Sequence, residues 1–137
     1  MRYRNKSGQE LVEVGAMLIV IIPVFLFLFD IAAFGLAKQM AETVAKDAVR
    51  AAANQSSSTD ARKAADKALP QNKTPPQTLP PWITSLTIDS LIWKLDDPIG
   101  ASVSLSVLLK MKPPIELPMI PKEGTIKIDK KERIVGI

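Results

Sequence analysis

The sequence predicts an α+β fold: a long N-terminal transmembrane helix that continues outside the membrane, a short second helix, a proline-rich linker and a small antiparallel β-sheet. Three observations lead to this prediction. Residues 14–29 carry no charge, alanine and valine recur at helical spacing over residues 41–53, and alternating apolar and polar residues occur within residues 82–137. A chain of 137 residues has room for one small domain beside such a helix.

The apolar segment is long enough to cross a membrane. Residues 14–37 carry a single charge, Asp30. In a helix they extend about 36 Å at about 1.5 Å per residue, against a hydrocarbon core of about 30 Å. Because lipid offers no partner for backbone amides and carbonyls, the segment has to be helical. Pro23 removes one helical hydrogen bond in mid-span and is expected to bend the helix.

Positive charges at the start of the chain predict its orientation. The first eight residues contain no acidic residue and three basic ones, Arg2, Arg4 and Lys6. Because basic flanks stay on the cytoplasmic side, we expect a single-pass protein of the cytoplasmic membrane, with its N-terminus inside and the chain after Lys38 outside. The same three residues supply most of the net charge of +4, so the charge balance does not favour nucleic acid as a partner.

The composition argues against catalysis and against a cofactor. Cysteine and histidine are absent, which excludes disulfides, thiol nucleophiles and histidine bases. Asp96 and Asp97 are adjacent carboxylates, but they lack the further oxygen ligands that calcium or magnesium needs, so we interpret them as part of a turn. No phosphate-binding loop or nucleophile motif is present. We therefore expect a protein that is not an enzyme and has no metal, cofactor or small-molecule substrate.

The junction between the basic leader and the apolar segment is the most specific motif. The leader ends in Gly8, four residues follow, and Glu13 then precedes the long apolar helix. This arrangement resembles the processing site of type IV prepilins. The apolar span contains a proline, an acidic residue near its outer end and the pair Phe34–Gly35, and alanines alternating with charges follow it. Over residues 8–55 the chain resembles the TadE-like family, small pilin-like proteins of tight-adherence (Flp) pili and secretion systems.

The resemblance implies that a prepilin peptidase cuts between Gly8 and Gln9 on the cytoplasmic side of the membrane. Glu13 would become the fifth residue of the processed chain and pair with the Gln9 amine of a neighbouring subunit, which neutralises both charges and fixes the axial register. The implied partners are this peptidase, other pilin-like subunits of the same apparatus and the cytoplasmic membrane. The implied function is that of a minor pilin-like structural component in pilus or secretion-apparatus assembly.

Other interpretations of this region remain open. The segment could be a secretory signal cut after Ala37, which would release a β-rich binding module. It could also be the uncleaved anchor of an accessory protein whose outer domain binds an envelope partner. Glu10 and Glu13 could be acidic residues that suit the positive end of a helix dipole. Asp30, about 24 Å along the helix from the start of the apolar run, could be a boundary charge that reaches the headgroups or a polar contact to another pilin-like helix.

Two helical segments are expected after the span. Small apolar residues fall on one helix face over residues 41–53, so this stretch is predicted to continue the span as one long helix. Its face would pack either on a neighbouring subunit or on the protein's own sheet. Thr59 and Asp60 begin a short second helix that Pro70 ends. Five prolines within residues 70–81 predict an extended linker.

The C-terminal region is predicted to form a small β-rich domain outside the cytoplasm. Strict alternation of apolar and polar residues indicates half-buried strands, and proline clusters indicate turns or edge segments. Trp82 and Trp93 are expected in the core or on a sheet face, although Trp82 could also lie at the outer membrane interface. The expected strands are residues 84–93, 102–107 and 125–129, with a turn at 96–100 and a loop at 112–121. The chain then divides into a leader (1–8), a pilin-like helix (9–55), a short helix with a linker (56–81) and the β-rich domain (82–137).

Overall fold

The computed structural model describes residues 6–96, 100–116 and 121–134, with side chains from residue 8 onward. Over these residues the fold is α+β, as predicted. Most of the expected turn at 96–100 and part of the expected loop at 112–121 lie outside the described residues. The elements are α1 (Lys6–Ala53), α2 (Ser58–Ala68), a 3-10 turn (Pro70–Asn72), β1 (Ile83–Lys94), β2 (Ser102–Met111) and β3 (Gly124–Arg133).

Helix α1 is continuous over 48 residues and is about 72 Å long at about 1.5 Å per residue. It contains both the apolar run and the alanine-rich stretch, which confirms that the two form one helix. Pro23 lies inside α1 without ending it. We refer to residues 8–29 of α1 as the stem, and to the described residues from 30 onward as the body.

The alanine-rich half of α1 packs on the rest of its own chain. Ala41, Ala45 and Ala48 are completely buried, and this part of the core also contains residues of α2 and of the sheet. Small side chains let the helix approach these elements closely, and close packing is what stabilises the contact. This face is expected to pack either on a neighbouring subunit or on the protein's own sheet. In the structure it packs within the chain, so it is not available to a neighbouring subunit.

The sheet is an antiparallel meander in the order β1–β2–β3. Each strand covers its predicted range and is longer than predicted at one or both ends. Because side chains alternate along a strand, the central strand β2 turns one complete row of apolar residues toward α1. The buried residues of this row are Val103, Leu105, Val107, Leu109 and Met111.

Two bulges keep the apolar residues of β1 on the buried face. These residues are unevenly spaced, with three-residue steps from Ile83 to Leu86 and from Ile88 to Leu91. In a regular strand, one member of each pair would point outward. The pairing of β1 with β2 shifts its register within both steps, which absorbs one extra residue each time. All four side chains therefore belong to the core or pack against it.

Helix α2 begins at Ser58, one residue before its predicted start, and ends before Pro70 as predicted. The Ser57 hydroxyl caps the helix by accepting a hydrogen bond from the backbone amide of Asp60 at 3.2 Å. Ala61 and Ala65 are buried, and the helix contacts α1. The helix stops before Pro70, which cannot donate the next helical hydrogen bond.

The proline-rich segment after α2 is held against β1. Pro70 is buried, and Gln71 Nε2 donates a hydrogen bond to the backbone carbonyl of Leu86 at 2.7 Å. The backbone amide of Gln77 donates to the carbonyl of Pro70 at 2.9 Å. The segment thereby covers part of a sheet edge that would otherwise offer unpaired backbone groups to another strand.

Leu105→Ala is expected to lower the free energy of unfolding by about 2–5 kcal/mol. Leu105 lies in the central strand and is 1% exposed, so truncation leaves a cavity between the sheet and α1. The control is Ser104→Ala on the outer face, for which a change within about 0.5 kcal/mol is expected. Chemical unfolding in detergent, followed by near-UV circular dichroism, measures both variants. Equal destabilisation would contradict the assignment of the two sheet faces.

An ion pair links the outer strands on the solvent side of the sheet. Lys127 Nζ lies 2.9 Å from Asp89 Oδ2. The hydrogen bond from Lys127 to Asp89 and the charge of Asp89 raise the pKa of Lys127 above its ordinary value of 10.5. The contribution of this pair to stability is therefore fully present below pH 10.5 and is lost as the pH rises through the raised pKa.

Asp89→Asn is expected to bring the pKa of Lys127 back toward its ordinary value and to change stability only slightly, since the pair is exposed. Nitrogen-15 NMR titration of the lysine side chains measures the pKa directly. Lys94, an exposed lysine with no ion pair among the described residues, serves as the internal reference. An unchanged titration of Lys127 in Asp89→Asn would contradict the assignment.

Candidate functional site

The stem exposes large apolar side chains on all sides of the helix. Leu11, Ile19 and Phe25 are 77%, 74% and 67% exposed. Each Å² of such surface costs about 25 cal/mol in water, so a continuous apolar surface of this size indicates an apolar environment. Residues 11–29 extend about 28 Å, close to the hydrocarbon thickness of about 30 Å. Among the described residues, α1 is the one helix long and apolar enough to cross a membrane.

The body begins to cover α1 at Asp30. Asp30, Ala33 and Ala37 are buried along one side of the helix, whereas Ile31 and Phe34, next to Asp30 on the helix surface, remain about half exposed. The predicted span of residues 14–37 therefore has two parts. Residues 14–29 can be surrounded by lipid, and residues 30–37 have one side occupied by the body.

The Gly8–Gln9 peptide bond lies near the N-terminal end of α1. Gly8 and Gln9 are both exposed. A Cβ atom added to Gly8 would meet nothing within 4 Å, so packing does not require a glycine at this position. The structure leaves both sides of this bond accessible and gives no packing reason for Gly8.

Glu13 lies one helical turn beyond Gln9. Gln9 Nε2 donates a hydrogen bond to Glu13 Oε1 at 3.4 Å, which is the i,i+4 geometry of neighbours on a helix surface. Both residues are exposed, so Glu13 keeps lone pairs that can accept from another molecule. The first turn of α1 contains no acidic residue. The interpretation of Glu10 and Glu13 as first-turn acids that stabilise the helix dipole is therefore wrong for the full-length chain.

Asp30 is buried, with 7% of its surface exposed. Its Oδ1 accepts a hydrogen bond from the backbone amide of Ile115 at 3.3 Å. Its Oδ2 is also buried and has no hydrogen-bond partner among the described residues. Asp30 is thus not an exposed boundary charge, because the segment after β2 covers it. The other expectation, a contact to another pilin-like helix, stays a prediction.

An open cavity of about 520 Å³ lies beside Asp30, where the stem meets the body. Its walls are mainly apolar and come from α1, from the end of β2 with the segment after it, and from the start of β3. The lining residues are Phe27, Asp30, Ile31, Phe34, Met111, Pro113, Pro121, Glu123, Gly124 and Thr125. Sequence reasoning missed this cavity, because its walls are up to 98 residues apart in the chain and no local pattern connects them.

Trp82 and Trp93 lie partly buried against the core, which agrees with the expectation that both belong to the core or to a sheet face. Within residues 6–96, 100–116 and 121–134, no group of three acidic side chains could hold a metal ion. Asp97 and the rest of the expected turn up to residue 99 lie outside these ranges. The features that could serve a function are therefore the stem with its N-terminal junction and the cavity at Asp30.

Comparison of the chain with protein-family models, with curated proteins and with solved structures gave no match.

Proposed function

We propose that this protein is a minor pilin-like, TadE-like structural component in the assembly of a type IV or Flp-type pilus or a related secretion apparatus. A prepilin peptidase removes residues 1–8. The stem then anchors the processed chain in the cytoplasmic membrane with its N-terminus inside, and the body lies outside the cytoplasm. The observation that carries this proposal is the division of α1 into a stem with exposed apolar surface and a second half that is built into the body.

The continuity of α1 supports a role in assembly. The helix runs without a break from the junction to the core of the body. Its second half is fixed by packing against α2 and the sheet. A contact made by the stem inside the membrane therefore also positions the body outside it. Since the alanine-rich face is already occupied within the chain, the stem is the apolar surface that remains for helix packing between subunits.

The position of Gly8 supports processing by a peptidase. The first four amides of a helix have no intrahelical partner, so the turn that contains Gly8 and Gln9 can unwind at small cost. A protease needs its substrate in an extended form, and glycine permits close approach to the scissile bond. The exposed junction can meet both requirements once this helical turn has unwound.

The pair of Gln9 and Glu13 supports a role in subunit register. Cleavage leaves a positively charged amine on Gln9 and places Glu10 and Glu13 near the positive end of the shortened helix, where acidic residues stabilise it. Glu13 is exposed at the edge of the apolar stem, where an unpaired charge is unfavourable. Pairing with the Gln9 amine of a neighbouring stem neutralises both charges and sets the axial offset between the two chains.

Site-specific photo-cross-linking in membranes tests this proposal. A photoreactive residue at Phe25 in the stem is expected to capture other pilin-like subunits or a second copy of this chain. The matched position is Lys110, which is exposed on the outer face of the sheet. Cross-links from Lys110 alone, in a chain that keeps residues 1–8, would contradict the proposal and favour an unprocessed accessory protein that binds its partner through the body.

A further inference from the structure

The cavity at Asp30 combines an acidic group with mainly apolar walls. Phe27, Ile31 and Phe34 form one wall, and they continue directly into the exposed apolar surface of the stem. Glu123 also lines the cavity, but its charge is partly balanced by Lys112, whose Nζ lies 3.9 Å from Glu123 Oε1. A ligand that fits these walls has a hydrocarbon part that follows the stem and a polar part that reaches the carboxyl groups.

The Asp30 carboxyl group has an unused acceptor atom. Oδ1 is satisfied by the Ile115 amide, whereas Oδ2 has no donor among the described residues. A buried polar atom without a hydrogen bond is unfavourable, and more so when it is charged. The side chain is buried by more than nine-tenths and lines the cavity, so a donor that enters the cavity and reaches this carboxyl removes that cost.

The cavity lies near the outer edge of the hydrocarbon core, next to the lipid headgroups. Asp30 is 17 residues beyond Glu13, or about 26 Å along the helix axis. With Glu13 at the inner edge of a hydrocarbon core of about 30 Å, Asp30 is within about 5 Å of the outer edge. This depth rests on the membrane location proposed above. At this level the surrounding molecules that carry both a hydrocarbon chain and a hydrogen-bond donor are the lipids themselves.

We propose that this cavity binds an aminophospholipid of the outer leaflet, phosphatidylethanolamine, with its primary ammonium group at Asp30 and one acyl chain along Phe27 and Ile31. The ammonium supplies the donor that Oδ2 lacks and a positive charge that complements Asp30. Phosphatidylcholine has the same charge but no N–H donor. Phosphatidylglycerol has a net negative charge and no cationic group, and the Asp30 carboxyl group disfavours that charge.

Native mass spectrometry of the full chain, released from nanodiscs with equal amounts of these three lipids, tests the proposal. We expect the retained phosphatidylethanolamine to exceed its bulk ratio by about tenfold, which is the effect of one hydrogen bond to a charged group. Asp30→Asn should return the ratio to that of the bulk, because the amide keeps the bond from Ile115 but loses the charge. Glu10→Gln is the matched control at the other end of the stem and should keep the enrichment.

Two further arms keep the result interpretable. Alkaline extraction of the membranes from which the chain is purified measures insertion independently. A chain that is not inserted contradicts the proposed membrane location, whereas an inserted chain with a bulk lipid ratio contradicts the lipid site. In the second arm the lipid amine carries an increasing number of methyl groups and the protein is unchanged, so the result does not depend on the folding of Asp30→Asn. Enrichment should fall as N–H donors are lost. The proposal would be overturned by a bulk lipid ratio around the inserted chain, or by a second copy of the chain in place of lipid. It would also be overturned if Asp30→Asn or methylation left the enrichment unchanged.

Discussion

Gly8→Leu is expected to leave residues 1–8 attached to the chain and to abolish incorporation into the apparatus. The peptidase has to approach the backbone on both sides of the Gly8–Gln9 bond, and a branched side chain blocks that approach. The fold itself should not change, because a Cβ at Gly8 meets nothing within 4 Å and leucine favours the helix more than glycine does. The retained leader keeps Gln9 inside the chain, so the amine that Glu13 needs never forms.

The measurement for Gly8→Leu is electrophoretic mobility and intact mass after co-expression with a prepilin peptidase. Gly15→Leu is the matched control. It lies on the same helix, also meets nothing within 4 Å, and is seven residues beyond the scissile bond. Normal processing is expected for this control. Complete processing of Gly8→Leu, or an equal loss of processing in both variants, would show that a protease does not recognise this glycine.

Glu13→Gln is expected to leave processing and membrane insertion intact and to reduce assembly by a factor of about 100 or more. Glutamine matches glutamate in size and can still accept the hydrogen bond from the Gln9 side chain, so the helix is preserved. What is lost is the negative charge opposite the amine of the neighbouring chain. Breaking a buried ion pair by removing one partner costs about 3–5 kcal/mol, and each 1.4 kcal/mol corresponds to about a tenfold change.

The matched control for register is Glu10→Gln. Glu10 is also exposed near the start of α1 and loses the same charge, but it is one residue from the new amine rather than one helical turn from it. We expect Glu10→Gln to assemble close to normally. Comparing the two variants by the yield of assembled subunits separates a specific pairing from a general effect of net charge. Normal assembly of Glu13→Gln would contradict the register role.

The sequence predicts most of the fold because the determining patterns are local. No proline separates the uncharged run from the alanine-rich stretch, so one long helix follows. In β2 the alternation is regular over residues 102–107, so the buried residues Val103, Leu105 and Val107 can be anticipated, whereas Leu109 and Met111 continue the row beyond the predicted strand. In β1 the three-residue steps contradict regular alternation, and only the pairing with β2 shows that two bulges absorb them.

The candidate site was predictable only where it depends on neighbouring residues. Gly8, Gln9 and Glu13 lie within six positions, and their spacing can be read directly. The burial of Asp30 could not be anticipated, because its partner amide belongs to Ile115, 85 residues away. The same limit applies to the alanine face of α1. Small side chains suit packing on a second copy and on the chain's own sheet equally well, and the tertiary fold decides between them.

The intact mass of the protein extracted from the membranes of the cells that produce it tests the central claim most directly. The account predicts a chain that begins at Gln9 and lacks residues 1–8. A chain that still begins at Met1 would contradict it, and so would one that begins near Lys38 without the stem.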